Sequence, residues 1–271
     1  MTPSQRGSST AASGQQLNNA KLKILQINLH HSKEATSELV SRLTVRKNAN
    51  LIVLIQEPWI NNDKVQGLGL FKPYYDTNSK DPRTAILATG NMNVWYVPQY
   101  SNRDMVTCTM TSKGKTTYFA SVYSDINLPP VQDALTKLTT FCNNNNHSLI
   151  IGCDSNAHSS FWGSDSNNPR GDEFEEFILC HDLNILNDGR VFTFQSPVGN
   201  SKIDITLVND SAAPNISNWE VDESESFSDH KYITLDFSIE EPKKQYFRNL
   251  RKSNWTIFQQ MLWSENKNFN L

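Results

Sequence analysis

Polar side chains stand at the ends of apolar, strand-like runs at several places in this 271-residue chain. Short β-branched runs, and runs in which apolar and polar residues alternate, are typical of strands. A chain that repeats this placement is predicted to build one polar site at one edge of a sheet core. The residues concerned are Asn28, Glu57, Asp154 with Asn156, Asp204, and the segment Ser228-Asp229-His230.

The order of the predicted elements favours a layered α/β core. A strand at 22–28 is followed by a helix at 33–48, rich in good helix formers, and then by the β-branched run 51–55. After a long loop at 61–81, closely spaced strands indicate antiparallel hairpins. The other predicted elements are helices at 131–144 and 170–181 and strands at 84–89, 94–97, 105–110, 116–123, 149–153, 191–194, 203–208, 216–221 and 232–238.

Composition limits the classes of protein that the chain can represent. A net charge of −3 argues against a basic coat for nucleic acid over the whole surface, although it permits a local basic groove. The four cysteines form no CxxC pair, which argues against a zinc ribbon or a thioredoxin-type motif, and we expect buried thiols. Residues 1–20 lack an apolar signal core and are predicted to form a flexible leader. The longest apolar run, 51–55, is too short to cross a bilayer, so no membrane partner is expected.

Taken in order, the polar strand ends resemble those of the endonuclease/exonuclease/phosphatase superfamily. They are Gln26-Ile-Asn28, Gln56-Glu57-Pro58, Ser121-Val-Tyr123, Gly152-Cys-Asp154-Ser-Asn156, Lys202-Ile-Asp204 and Ser228-Asp229-His230. The resemblance covers residues 22–239. It implies a four-layered α/β sandwich, in which two mixed β-sheets pack face to face between helices. It also implies an active site that needs a divalent metal, Mg²⁺ or alternatively Mn²⁺.

A narrower resemblance rests on Asp154-Ser-Asn-Ala-His158 with Trp162-Gly163, followed by Asn168-Pro-Arg170-Gly171. This arrangement resembles the apurinic-like endonuclease domain of insect-type non-LTR retrotransposons of the jockey group. Residues 241–271 resemble the basic helical linker that leads from such a domain toward a reverse transcriptase region. The domains implied are a leader at 1–20, the endonuclease domain at 21–240 and the linker at 241–271, with a reverse transcriptase in cis and action in the nucleus.

Hydrolysis of a phosphodiester needs an activated water and neutralisation of the charge that develops on the phosphate. Glu57, Asn28 and Asp229 are the candidate metal ligands, because hard oxygen donors suit Mg²⁺. Asp204 is costly to bury without a partner and is predicted to pair with His230. The imidazole would then contact the phosphate or transfer a proton.

The attacking water needs a base and a group that orients it. Asp154 is the candidate base and Asn156 the orienting group, although the sequence leaves open whether Asp154 or His230 takes the proton. Tyr123 would place a phenol on the phosphate or on the leaving group. The candidate substrate-binding residues are Thr193, Arg170 and Ser228.

Together with these residues, the resemblance implies a metal-dependent endonuclease that nicks double-stranded DNA and leaves a 3′-hydroxyl for target-primed reverse transcription. Two other functions stay open on the sequence alone. One is another phosphodiesterase or phosphatase of the same superfamily, such as an abasic-site repair endonuclease. The other is a nucleic-acid-binding module without catalysis. Individual residues also have structural alternatives, because Asp and Asn form turns and Arg170 can pair within the fold.

Overall fold

The computed structural model describes residues 21–239 of the chain. The predicted leader (1–20) and the predicted basic helical linker (241–271) lie outside the described residues. The domain boundaries therefore stay a prediction.

The described residues form three α-helices, three short 3-10 helices and fifteen strands. The α-helices are α1 (Lys33–Val45), α2 (Asp133–Asn144) and α3 (Pro169–Cys180), and the 3-10 helices are Pro98–Tyr100, Ser160–Trp162 and Ala213–Asn215. The strands are β1 (Lys21–Asn28), β2 (Leu51–Gln56), β3 (Ile60–Asn61), β4 (Lys64–Val65), β5 (Thr84–Thr89), β6 (Val94–Tyr96), β7 (Met105–Ser112), β8 (Lys115–Tyr123), β9 (Ser148–Asp154), β10 (Leu183–Ile185), β11 (Phe194–Ser196), β12 (Gly199–Ser201), β13 (Asp204–Asn209), β14 (Ile216–Asp222) and β15 (Tyr232–Ser238).

Two mixed sheets contain most of these strands. The first sheet has the order β14-β15-β1-β2-β5, and the second has the order β10-β13-β9-β8-β7-β6. Each sheet has one parallel pair, β1 with β2 and β8 with β9, and its other neighbours are antiparallel. The pairs β3-β4 and β11-β12 are small separate hairpins.

The apolar residues of the two sheets form three buried clusters that define the layers. Alternation along β1 sends Leu22 and Ile24 to a cluster between the sheets, where Phe119 of the second sheet also lies. Leu25 and Ile27 face the opposite way and pack under α1. The outer face of the second sheet is covered by α2 and α3. The result is helix, sheet, sheet, helices, so the predicted four-layered α/β sandwich is confirmed.

Strand register explains why the polar strand ends meet. Asn28 of β1 pairs with Gln56 of β2, so both strands end at the same edge of the first sheet. In the second sheet, Asp154 pairs with Tyr123 of the parallel β8 and with Asp204 at the start of the antiparallel β13. The ends of β8 and β9 therefore lie beside the beginning of β13.

A buried layer of hydrogen bonds joins the two sheets just below this edge. Gln56 Nε2 donates to Ser121 Oγ at 3.0 Å and to the Gly152 carbonyl at 3.1 Å. Thr206 Oγ1 donates to Gln26 Oε1 at 3.0 Å. Each of these five residues precedes or follows a candidate site residue by one or two positions. These hydrogen bonds thus hold the polar strand ends of the first sheet in register with those of the second sheet.

The predicted elements differ from the observed ones mainly around the hairpin β11-β12. The predicted strand 191–194 is wrong for most of its length, because β11 begins only at Phe194. Thr193 instead bonds through its backbone to Ser201 and Lys231. β10 and the β3-β4 pair were not predicted. All four cysteines are free, and Cys180 is exposed whereas the other three are buried. No helix within residues 21–239 is both long and apolar enough to cross a membrane.

Candidate functional site

An acid–imidazole pair lies at the centre of the polar edge. His230 Nδ1 is 2.9 Å from Asp204 Oδ2 and 3.0 Å from Asp204 Oδ1, and both side chains are buried. The ring of Phe194 packs edge-on against the imidazole, with centroids 4.9 Å apart. Burial lowers the pKa of His230, but the charge and hydrogen bond of Asp204, helped by Asp154 and Glu57, outweigh it and raise that pKa to about 9. The imidazole is therefore a cation at neutral pH.

Asp154 lies beside this pair in the same buried volume. Ligand atoms of Asp154, Asp204 and His230 all lie within 4.8 Å of one another. Asp154 Oδ2 accepts a hydrogen bond from Asn28 Nδ2 at 2.8 Å, and Asp154 Oδ1 accepts one from the Asn156 amide at 3.3 Å. Burial, followed by the charge of Asp204, raises the pKa of Asp154 to about 7. This carboxyl can therefore gain or lose a proton near neutrality.

Asn28 links the two sheets at the site itself. Its Nδ2 also donates to Glu57 Oε2 at 3.1 Å, so one amide nitrogen lies between Glu57 and Asp154. Its Oδ1 accepts a hydrogen bond from the backbone amide of His30 at 2.7 Å. Asn28 thus orients two carboxylates in this arrangement, and its predicted role as a direct metal ligand stays a prediction.

Glu57 and Asp229 are the more accessible acids of the group. Their side chains are 15% and 38% exposed. Glu57 has a positive φ of 43°, a conformation uncommon outside glycine, and it follows β2 directly. Asp229 Oδ2 lies 3.5 Å from His30 Nδ1. Carboxylate oxygens suit a hard divalent cation, but the side chains whose ligand atoms lie close enough to hold one are Asp154, Asp204 and His230, so the metal roles of Glu57 and Asp229 stay predictions.

Tyr123 ends β8 and faces the same acids. The guanidinium of Arg83 stacks on its ring at 4.6 Å, and Arg83 is held by Asp104 at 2.6 Å and Asp125 at 2.8 Å. Burial and the negative charge of Glu57 raise the pKa of Tyr123 well above its ordinary value. The phenol therefore keeps its proton and is available as a hydrogen-bond donor.

The three candidate substrate-binding residues make internal contacts that support the site. Thr193 Oγ1 accepts from the Asp204 amide at 3.1 Å, and Ser228 Oγ donates to the Asn28 carbonyl at 2.7 Å. Arg170 donates to the Leu128 carbonyl at 2.8 Å and also to Ser124. The guanidinium thus braces the loop that follows β8, and Asn156 Nδ2 bonds the same loop at the Ser124 carbonyl, 3.1 Å away. Direct contacts of these three residues with substrate stay predictions.

Residues that the sequence interpretation did not assign to the site also lie there. His30 and His31 both have positive φ, and His31 Nε2 lies 3.6 Å from Glu57 Oε1. The signal available in the sequence was their position two and three residues after Asn28. Arg83 carried no signal, because its role depends on contacts with Tyr123, Asp104 and Asp125, which follow it by many positions.

Comparisons with known proteins agree with this fold. The family model described as "Endonuclease-reverse transcriptase" matches residues 117–234. The solved endonuclease domain of TRAS1, described as a telomere-specific non-LTR retrotransposon, is 27% identical with a TM-score of 0.69, over 81% of this chain and 100% of that chain. No protein of curated function matches the sequence significantly.

Two more distant structures share the fold. The AP endonuclease LMAP from Leishmania major is 12% identical with a TM-score of 0.64, over 82% of this chain and 89% of that chain. The 3′-5′ exonuclease NExo from Neisseria meningitidis is 18% identical with a TM-score of 0.57, over 80% of this chain and 99% of that chain. The resemblance is therefore confirmed: residues 117–234 match the endonuclease-reverse transcriptase family, and the fold is similar to that of a non-LTR retrotransposon endonuclease domain.

Proposed function

We propose that this domain is a Mg²⁺-dependent endonuclease that nicks double-stranded DNA. The observation that carries the proposal is the convergence of Glu57, Asn28, Asp154, Asp204 and His230 at one edge of both sheets. A general base, a cationic hydrogen-bond donor and oxygen ligands for a metal are the parts that phosphodiester hydrolysis needs. The similarity to a retrotransposon endonuclease domain supports DNA as the substrate class.

The pKa directions favour one division of labour between the two candidate bases. His230 is protonated at neutral pH, so it is a poor base there but a good donor to a phosphate oxygen. Asp154, with a pKa near 7, is suited to accept the proton of the attacking water, and Asn156 would orient that water. Asp204 keeps the imidazole charged and turned toward the site through Nδ1. Tyr123 would donate its phenol proton in a hydrogen bond to the phosphate or the leaving oxygen.

Glu57 and Asp229 would hold the cation, with Asn28 orienting Glu57. When bound, a divalent metal would supply positive charge against a non-bridging phosphate oxygen. Mg²⁺ is the preferred ion because these are oxygen ligands, and Mn²⁺ is the alternative.

The wider role follows from the kind of domain. We propose that the nick leaves a 3′-hydroxyl that primes reverse transcription, by a reverse transcriptase region in cis, at nuclear DNA. The match to an endonuclease-reverse transcriptase family supports that arrangement. Cleavage of intact duplex, as opposed to a preference for abasic duplex, separates this role from repair.

The test is nicking of supercoiled plasmid DNA with a titration of Mg²⁺. We expect His230→Ala to lower the nicking rate by about 10²-fold or more, the usual contribution of a proton-transfer or charge-stabilising group. His147→Ala is the matched control, because His147 precedes β9 at the end of that strand opposite Asp154. Nicked ends should be extended by a DNA polymerase, which requires a 3′-hydroxyl. Near-normal nicking by His230→Ala, or nicking that persists in EDTA, would reject the mechanism.

A further inference from the structure

A polar pocket of about 90 Å³ is lined by residues that lie close in sequence to those of the candidate active site. Its walls include His158, Ser164, Phe192 and Lys202. Three of these residues are close in sequence to residues of the site. His158 follows Asn156 by two positions, Phe192 directly precedes Thr193, and Lys202 precedes Asp204 by two positions. Two residues of extended chain span at most about 7 Å, so Lys202 and Asp204 are close neighbours.

The pocket contains a lysine whose side chain is only 10% exposed. Lys202 Nζ donates to the Gly163 carbonyl at 2.6 Å and lies 5.0 Å from the centre of the Phe192 ring. Its acidic neighbour, Asp165, is 3.9 Å away with a side chain that is 87% exposed and can turn into solvent. An ammonium group has three donors. Lys202 therefore brings a buried positive charge with donors to spare, and a buried charge of this kind calls for an anionic partner.

A second, independent observation points to a ligand in the same pocket. Ser164 is 9% exposed, and its Oγ has no hydrogen-bond partner among residues 21–239. The ring nitrogens of His158 also make no hydrogen bond within that part of the chain. Native proteins rarely leave a buried hydroxyl unsatisfied. The Ser164 hydroxyl and the His158 ring can each donate a hydrogen bond, and together with the Lys202 ammonium they suit an acceptor-rich anion.

We propose that this pocket binds a backbone phosphate of the DNA substrate close to the scissile bond. The proposal rests on the proposed function, since it needs a DNA strand across the candidate active site. Phosphates follow one another about every 3.4 Å along the axis of one strand. Because Lys202 of the pocket lies two positions before Asp204 of the site, the pocket receives a near neighbour of the scissile phosphate, and it fixes where along the strand cleavage occurs.

The first test measures affinity for a short duplex, with Ca²⁺ in place of Mg²⁺ to suppress cleavage. Ser164→Ala removes a hydroxyl that bonds nothing in the protein, so its melting temperature should be unchanged while its Kd for DNA rises about tenfold. Ser148→Ala is the matched control, because Ser148 has the same exposure and begins β9 at the end opposite Asp154. An unchanged Kd for a folded Ser164→Ala variant overturns the proposal.

The second test concerns the charge. Lys202→Met should reduce by about one the slope of log affinity against log salt concentration. Lys137→Met, which removes an exposed lysine of α2, should leave that slope unchanged. Replacing single phosphates by methylphosphonates should weaken wild-type binding at one linkage near the nick, and the same replacement should cost Lys202→Met nothing further. Equal losses in both proteins at that linkage contradict the assignment.

Competition by inorganic phosphate distinguishes a pocket that binds a phosphate of the DNA from a pocket that binds free phosphate. If it competes with DNA in the wild type and loses this ability in Ser164→Ala, the pocket binds the phosphate of the substrate. If the variant loses phosphate binding while its DNA affinity stays normal, the pocket is a free-phosphate site and the proposal fails. If the wild type nicks DNA and the variants Ser164→Ala and Lys202→Met bind DNA as the wild type does, only this inference is rejected. Pocket-dependent DNA binding without nicking rejects only the proposed function.

Discussion

Protonation of His230 and Asp154 is linked, because the two groups share one buried volume with Asp204. A carboxylate in contact with Nδ1 outweighs the cost of burying the imidazolium and raises the pKa of His230 to about 9. Asp154 is raised to about 7 by burial and by the same neighbour. Both folded-state pKa values therefore lie above their unfolded values. Each group stabilises the fold while it is protonated, and this contribution is lost as the pH rises through the folded-state pKa.

Asp204→Asn should remove most of this pH dependence. In EDTA, the wild type is expected to lose on the order of 3 kcal/mol of unfolding free energy between about pH 6.5 and pH 9, the interval over which His230 is charged only in the folded protein. In the variant, burial acts on His230 without the carboxylate, so its pKa falls and the loss in that interval disappears. Urea unfolding at a series of pH values measures the difference. Parallel stability curves for the two proteins would show that Asp204 does not hold the proton on His230.

At the scale of elements, the loop between β9 and α3 is tied to the first turn of the helix. Asn168 caps α3, since its Oδ1 accepts from the Gly171 amide at 2.8 Å, and the same oxygen accepts from the His158 amide at 3.1 Å. Gly171 must be glycine here, because an added Cβ would lie 2.0 Å from the His158 carbonyl oxygen. Helix and loop thus form one unit that carries Asn156 and one side of the proposed phosphate pocket.

Asn168→Ala should affect stability and activity together. The variant loses a cap and a loop hydrogen bond, each worth about 1 kcal/mol, so we expect a total loss of about 2 kcal/mol in unfolding free energy. Nicking should fall at temperatures where the variant is still folded, because the loop after Asp154 is released. Asn145→Ala at the end of α2 is the control, since it removes one exposed hydrogen bond far from the site. Full activity in a destabilised Asn168→Ala variant would separate the loop from catalysis.

At the scale of the whole molecule, activity depends on how the two sheets face each other. Asn28 and Glu57 belong to the first sheet or its ends, whereas Asp154 and Asp204 belong to the second. The buried layer below them, in which Gln56 bonds to the Gly152 carbonyl, sets the separation of the sheets. A Cβ at Gly152 would lie 2.8 Å from Leu54 Cδ1 and 2.9 Å from Gln26 Cδ. The sheets approach closely enough there that a methyl group would have to displace these two side chains.

Gly152→Ala should push the sheets apart beneath the active site. We expect a loss of about 1–3 kcal/mol in unfolding free energy, as for other overpacked cores. We also expect a lower nicking rate, because the Asn28–Asp154 hydrogen bond lies directly above this contact. Gly199→Ala is the control for stability, since no atom lies within 4 Å of its added Cβ. Denaturant unfolding and plasmid nicking provide the two measurements, and a Gly152→Ala protein as stable as the wild type would contradict the close approach.

Most of the order of strands and helices, and the polar residues at the strand ends, could be predicted from the sequence. Both follow from local patterns, because the alternation in β1 and the β-branched run in β2 depend on neighbouring residues alone. Tertiary structure decided which partner each polar group has. Arg170, predicted to bind substrate, donates hydrogen bonds to the loop that contains Ser124 and Leu128. Lys202 donates to the carbonyl of Gly163, which lies nearly forty positions earlier in the chain. Hydrogen-bond partners are chosen by distance in space, and a buried polar group takes whichever partner the packed sheets bring to it.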